Sequence, residues 1–442
     1  MDPPLSHSNL SLNSSDELER TLGLPSALAI GVGTMIAAGI FTLSGLAVRD
    51  VGSGALVAFL LAALIAACTA LSYCEFSALY PSSGEGYRYA RETFGERPSW
   101  LVGFALLLGY TSSCAFYLAS FSEYVQRFLT PLPWEPASGV AALALLLLLN
   151  IKGSKESGAF QIVITAGKVL LLLWFISGGL PEVTPELMRS RFTGSPLEIV
   201  STSALVFITF FGFSAIAASA GEVREPARVI PRAIFSSMVV VTILYALVVL
   251  VVLVADLSAY DEGAMGVAAE KFLGPVGQQV IVWGALFSMI SASNASIMAG
   301  SRVALAMAQR GHLPAPLAVI SQRHRSPLRA LLLTGALILL FGLIARLEDL
   351  AHYADAVLLL VLSLVNAALI LHRRRYPDVE RPLRVPLVPL IPMIGIIANL
   401  ALLWIQFGAH PGPFRYAFAT LAVGMACFIV ISYRAPQRPA ER

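Results

Sequence analysis

Charge is what this chain has least of. Asp, Glu, Lys and Arg make up 13% of its 442 residues, against 57% hydrophobic ones. Such a balance excludes an ordinary soluble globular protein, whose surface needs far more polar cover. Cysteine is scarcer still. Cys68, Cys74, Cys114 and Cys427 all fall in apolar runs, which excludes a disulfide framework or a metal cluster and leaves packing. The chain also lacks an H-E-x-x-H motif, a Walker-type phosphate loop and any Cys/His cluster, so it is not expected to be an enzyme or to need a cofactor or metal. No polar stretch is long enough for a soluble output domain, which disfavours a sensor. A channel would differ from a carrier in its kinetics.

The apolar runs decide the class. Twelve lie near 25–47, 54–79, 99–129, 136–151, 158–180, 197–219, 230–256, 275–308, 329–346, 350–371, 386–408 and 413–433, the fourth being short. Runs of this kind cross a hydrocarbon layer about 30 Å thick. In lipid the backbone must satisfy itself, so the spans are helices. The fold class is all-α integral membrane. With a cytoplasmic amino terminus, 21 of the 30 Lys and Arg face the cytoplasm, seven face outward and two, Lys168 and Arg302, lie within spans. That asymmetry predicts both termini in the cytoplasm of a cell-membrane protein. It also accounts for the basic loops without nucleic acid. Residues 1–24 are polar and Ser-rich with no basic n-region, and read as a tail rather than a cleaved leader. Residues 434–442 form a second tail.

The stretch "GVGTMIAAGIF", Gly31–Phe41, sets three glycines inside the first span. Glycine is a poor helix former, about 1 kcal/mol below alanine. Close helix packing explains such glycines. A broken helix explains them too. Its second half would point free N–H groups and positive dipole at a carboxylate, and its first half would offer carbonyls to an ammonium. One break would thus grip an amino acid by both ends. Span six, "FITFFGFSAIAASAG", has Gly212 followed by small residues. Each of these spans opens a five-helix block, 25–180 and 181–371, and five helices invert the orientation. A five-plus-five inverted repeat is therefore expected, with helices 11 and 12 at 372–433.

Lys168 lies about 15 Å into span five. Thr165 and Gln161 share its stripe, so it should face the bundle. A charge at mid-bilayer costs at least about 2.5–3.5 kcal/mol unless partnered. A static bond to nearby carbonyls would satisfy it. So would a titrating switch, since burial lowers a lysine's pKa. Glu75 reads as structural, Arg302 and Glu123 as snorkelling, and Asp355 as a possible outer-gate residue. Tyr110 and Tyr117, seven apart on span three, share a face. Tyr110, with Phe207 and Phe210 beside the span-six break, is a gate candidate.

Four segments carry a family resemblance: Gly31–Phe41, "YCEFSALYPSSGEGYRYARETFG" (Tyr73–Gly95), "FITFFGFSAIAASAGEVREPARVIPRAI" (Phe207–Ile234) and "GSRVALAMAQRGHLPAPL" (Gly300–Leu317). Together they resemble the amino acid–polyamine–organocation (APC) superfamily of transporters over roughly residues 20–435, and within it the proton-coupled, sodium-independent members with a fifth-helix lysine. The resemblance implies the leucine-transporter-like inverted-repeat fold with discontinuous helices 1 and 6. It implies a permease driven by proton symport, or alternatively a sodium-independent amino acid or amine exchanger. Carried over, the unwound stretch is Met35, Ile36, Ala37, Ala38 and Gly39. The amides of Ala37, Ala38 and Gly39 would take the substrate carboxylate. Carbonyls of Met35, Ile208, Thr209 and Phe211 would take its amine. Lys168 would bridge the Gly31 carbonyl and a hydroxyl, Ser288 or Ser291, where relatives hold sodium. Ser214 stands where relatives often have an acid, so a coupling carboxylate is absent there. The lack of an obvious pocket acid points to neutral substrates. The oligomeric state is left open.

Overall fold

The computed structural model describes residue 20 and residues 22–81, 84–152, 158–321 and 326–434. Most of the two expected tails therefore lies outside the described residues, as do Lys155, Arg323, Arg325, Arg438 and Arg442 of the charge count.

The described chain is helical throughout. In order the helices are α1 (Leu24–Met35), α2 (Ala38–Val51), α3 (Gly54–Leu79), α4 (Glu85–Phe94), α5 (Glu96–Phe128), α6 (Ala137–Lys152), α7 (Gly158–Gly179), α8 (Pro185–Ser190), α9 (Pro196–Leu205), α10 (Phe213–Ala218), α11 (Pro226–Val254), α12 (Ala264–Gln309), α13 (Leu328–Ile344), α14 (Leu347–Arg375), α15 (Leu390–Ala409) and α16 (Pro411–Arg434). Among the described residues, nine helical segments are long and apolar enough to cross a membrane; α1 and α2 together make a tenth, bent by 41°. Two shorter apolar helices, Ala137–Ile151 and Leu328–Ile344, fall on the expected spans four and nine. All twelve apolar runs thus fold as helices, and the chain is a multi-pass membrane protein.

Each span divides between protein and lipid. On α3, Ala58, Ala62, Ala66 and Ala70 recur every fourth residue and are fully buried, while Leu60 and Leu64 on the other side are 50% and 65% exposed. The alanine stripe lets α3 pack closely within the bundle, where α11, α9 and α15 are its neighbours, and leucine meets lipid. α12 holds two pieces. Gly274, at φ 70°, ends the first, and Pro275 starts the second. Glycine tolerates the left-handed conformation, and proline at a helix start loses no hydrogen bond. That second piece is the span expected from residue 275.

Spans one and six are both interrupted. α1 and α2 are separated by Ile36 and Ala37, and α9 passes into a 3-10 turn, Val206–Phe210, before α10. The ends of the two broken spans are stitched by backbone. Leu22 pairs with Val223 in a parallel bridge on one face, and Gly52 pairs with Phe192 in an antiparallel bridge on the other.

Candidate functional site

The break in span one falls at Ile36 and Ala37, not at a glycine. Ile36 N–H still closes the helix onto the Val32 carbonyl at 2.9 Å, but Ala37 N–H turns to Met35 at 2.8 Å. That turn deprives the Gly33 carbonyl of its helical donor. α2 begins with no side-chain cap, so the N–H groups of its first turn, Ala38 and Gly39 among them, have no partner in the helix. The arrangement can hold an anion at Ala38–Gly39.

The glycines serve contact. A side-chain carbon on Gly31 would lie 2.4 Å from Ile216 Cδ1, on Gly33 2.4 Å from Thr165 Oγ1, and on Gly39 2.3 Å from Thr209 Cγ2. One on Gly212 would lie 2.6 Å from the Met35 backbone nitrogen. The two interruptions therefore meet backbone to backbone. Of the two explanations of the glycines, close packing holds at each one, and the unwinding has other causes.

Those causes are long-range hydrogen bonds. Lys168 Nζ donates to the Gly33 carbonyl at 2.8 Å and to Ile36 at 3.3 Å. Ser288 Oγ on α12 donates to the same Ile36 carbonyl at 3.0 Å. The expected Gly31 partner is corrected by these contacts: its carbonyl lies within α1 and meets Thr34 Oγ1 at 3.1 Å, and the freed carbonyls are those one turn on. Ser288, rather than the half-buried Ser291, meets the break. Thr165 Oγ1 donates to Ala29 at 2.8 Å, so the polar stripe of α7 does face α1.

Tyr245 on α11 was not singled out by the sequence. Its hydroxyl donates to the Met35 carbonyl at 2.5 Å and lies 3.4 Å from that of Thr209. The carbonyl expected to meet a substrate amine is therefore already engaged by Ala37 and Tyr245. Thr34 Oγ1 also lies 3.0 Å from the Gly212 carbonyl, tying the breaks together. Thr34 lies within the Gly31–Phe41 stretch, whereas Tyr245 stands in an apolar run where nothing local marks it.

The remaining candidates surround these breaks. Phe207, Ile208, Thr209, Phe210 and Phe211 are all buried. Phe210 packs edge-on against Tyr245, with ring centres 5.3 Å apart. Tyr110 donates to Glu85 on α4, lies 3.2 Å from Ser214 Oγ on α10 and tilts against Phe211. Asp355 on α14 is fully buried; its carboxylate lies against the Ile208 backbone, within electrostatic range of Tyr117, and closes no hydrogen bond of normal geometry. An acid therefore does stand beside the span-six break, which removes the ground for expecting none. Glu75 is structural: it accepts from Arg373, Arg381 and the Val385 N–H. Arg302 lies 3.5 Å from Glu222.

Two interrupted helices that meet backbone to backbone, with main-chain amides and carbonyls freed from helical pairing, fit a carrier. The profile of the family described as amino acid permease matches residues 22–431. The chain belongs to this family. As an amino acid permease of the APC superfamily it is 30% identical to the branched-chain amino acid permease BcaP of Bacillus subtilis, with 84% of each chain covered. It is also 30% identical to the methylthioribose transporter of the same organism, over 85% of this chain and 86% of that one. The mouse large neutral amino acids transporter small subunit 2 is 30% identical over 88% of this permease and 77% of its own length. A cationic amino acid transporter of Arabidopsis thaliana is 28% identical over 83% of this chain.

Proposed function

We propose that this permease carries neutral amino acids across the cell membrane by proton symport with alternating access, and that Lys168 is its proton switch. The observation that supports this most is the ammonium at the break, held by the Gly33 and Ile36 carbonyls. A protonated Lys168 satisfies two carbonyls that the interruption frees. Loss of its proton removes the charge that strengthens both bonds, so the carbonyls are held less firmly, the break loosens and substrate is released. A cation fixed there takes the place of a sodium ion, so uptake is sodium-independent. The substrate carboxylate meets the first-turn amides of α2. Its amine meets Thr209, or displaces Tyr245 from Met35. Residues 25–180 and 181–371 act as the inverted halves, with both termini cytoplasmic.

The neutral class is supported by the branched-chain and large-neutral relatives. A second reading, a substrate with a cationic side chain, is favoured by one observation, the buried Asp355 beside Ile208. An exchanger remains the alternative to symport.

Purified protein in sodium-free liposomes tests this with labelled leucine, alanine and lysine, with and without an inward proton gradient. Gradient-stimulated leucine uptake, lost in Lys168→Ala, is the expected result. Full gradient-driven uptake in that variant would sink the switch. Uptake needing only trapped internal amino acid would mean exchange. Lysine uptake abolished by Asp355→Asn would establish the second reading.

A further inference from the structure

α4 lies outside the spans, on the face where α3 ends and α5 begins, and it opens on an unusual residue. Glu85 is 1% exposed, and its backbone φ of 28° follows Gly84 at 108°. The left-handed region is costly for a residue with a side chain, by about 1–2 kcal/mol. Something must hold Glu85 there. Its carboxyl accepts a hydrogen bond from Tyr110 on α5, and the Tyr110 hydroxyl reaches Ser214 on α10 at 3.2 Å. The second carboxyl oxygen, Oε2, has no partner, and nor does the Tyr73 hydroxyl.

Among the described residues, no Lys or Arg pairs with it. The titratable groups that face Glu85 are Tyr73 on α3, Tyr89 on α4 and Tyr110 on α5. α10 presents Ser214, and α14 presents Val365 beside Gly86. Arg88, one turn along α4, turns to Glu92 and the Tyr80 ring. A carboxylate buried among phenols with no Lys or Arg is costly when ionised and comfortable when neutral. Burial accordingly pushes the Glu85 carboxyl up to about 8.

The route from this residue to the break is short. Ser214 is two residues after Gly212, which packs on the Met35 backbone. We propose that Glu85 is a proton-binding site distinct from Lys168, and that its protonated carboxyl latches α4 through Tyr110 to α10, closing the path between the break and the α4 face. Loss of that proton leaves a bare charge among phenols, admits water and frees α4 to leave α10. The path then opens to the cytoplasm, in the orientation proposed above. What the latch closes rests on the transporter reading; the proton site does not.

The test uses the purified full chain in lipid nanodiscs, between about pH 6 and pH 10. Infrared difference spectra report the protonated carboxyl, and hydrogen exchange corrected for its intrinsic pH dependence reports α4. The expected result is a carboxyl band lost as pH rises through about 8 and missing in Glu85→Gln. α4 exchange should rise several-fold over the same range in the wild type and stay slow in Glu85→Gln. Tyr110→Phe keeps the carboxyl but removes a donor to its ionised form, so the band midpoint should move up and α4 should exchange faster at neutral pH. Should Glu85→Gln fail to fold, that midpoint decides. Identical spectra in wild type and Glu85→Gln, α4 exchange rising equally in both, or a midpoint unmoved in Tyr110→Phe would each overturn the proposal. Titration of α4 in protein that transports none of the labelled amino acids would instead fault the transport reading alone.

Discussion

At the scale of the residue, the site is held by side chains that reach across the bundle to main-chain oxygens. Tyr245→Phe keeps the ring and removes the donor to Met35. The carbonyl keeps the Ala37 N–H, so the loss is that of one hydrogen bond, about 0.5–1.5 kcal/mol. The variant should lose that much stability in thermal unfolding, and its affinity for amino acid should change because one of the two acceptor positions of that carbonyl is opened. Unchanged unfolding and unchanged KM would refute the role. Gly212→Ala is harsher. Its new carbon meets backbone at 2.6 Å, which cannot swing aside as a side chain could. Overpacking of this kind costs about 1–3 kcal/mol and should cut transport at least about tenfold. Gly342→Ala is the control, with nothing within 4 Å, and should transport normally. Lys168 was legible because a lone charge in an apolar run demands an explanation. Its partners were missed by a turn because Ala37, not a glycine, diverts the hydrogen bond. Tyr245 and Glu85 left no signal: a tyrosine in a span and a glutamate in a polar loop are ordinary until the fold buries each of them.

At the scale of the element, the helices follow the apolar runs closely, since length and hydropathy are local properties. The interruptions do not follow composition so simply. The spans with small residues were rightly suspected, yet the unwinding is imposed by α7, α11 and α12, far away in sequence. α12 gives a clean test of a local rule. Gly274→Ala forces an alanine to φ 70°, and about 1–2 kcal/mol of stability should be lost, read from thermal unfolding. The turn after α12 gives another. His312 accepts or donates at Tyr87 Oη on α4, 3.0 Å away, and its carbonyl accepts from Trp100 on α5. Burial pulls the His312 imidazole below its usual value. The neutral ring is therefore the stabilising form, and its contribution is lost as pH falls below about 6.5. Thermal stability should drop on acidification through that point, and His312→Gln should blunt the drop.

For the whole molecule, the outer surface is lipid-facing and the chemistry is internal. Trp404 and Val163 are 76% and 69% exposed, while Lys168, Ser288 and Asp355 are buried. The two backbone bridges are the features that span this body. Hydropathy could not have revealed them, because they join short segments 201 and 140 residues apart. Cysteines at Leu22 and Val223 should form a disulfide on oxidation, and transport should continue, because that pairing is a joint of the moving part rather than a gate. Transport arrested by the cross-link and restored by reductant would show that the pairing must open.

Those bridges have a mechanical meaning. α1, α2, α9 and α10 are four stiff rods, and they meet end to end in a ring. Two corners are the interruptions at Ile36–Ala37 and Val206–Gly212, and two are the pairings Leu22–Val223 and Gly52–Phe192. An engineer would call this a four-bar linkage. Its two interruption corners also touch, Gly212 against the Met35 backbone, so the frame is braced across its middle. A swing of α1 at one face would then carry α10 with it and turn α2 and α9 about that brace at the opposite face.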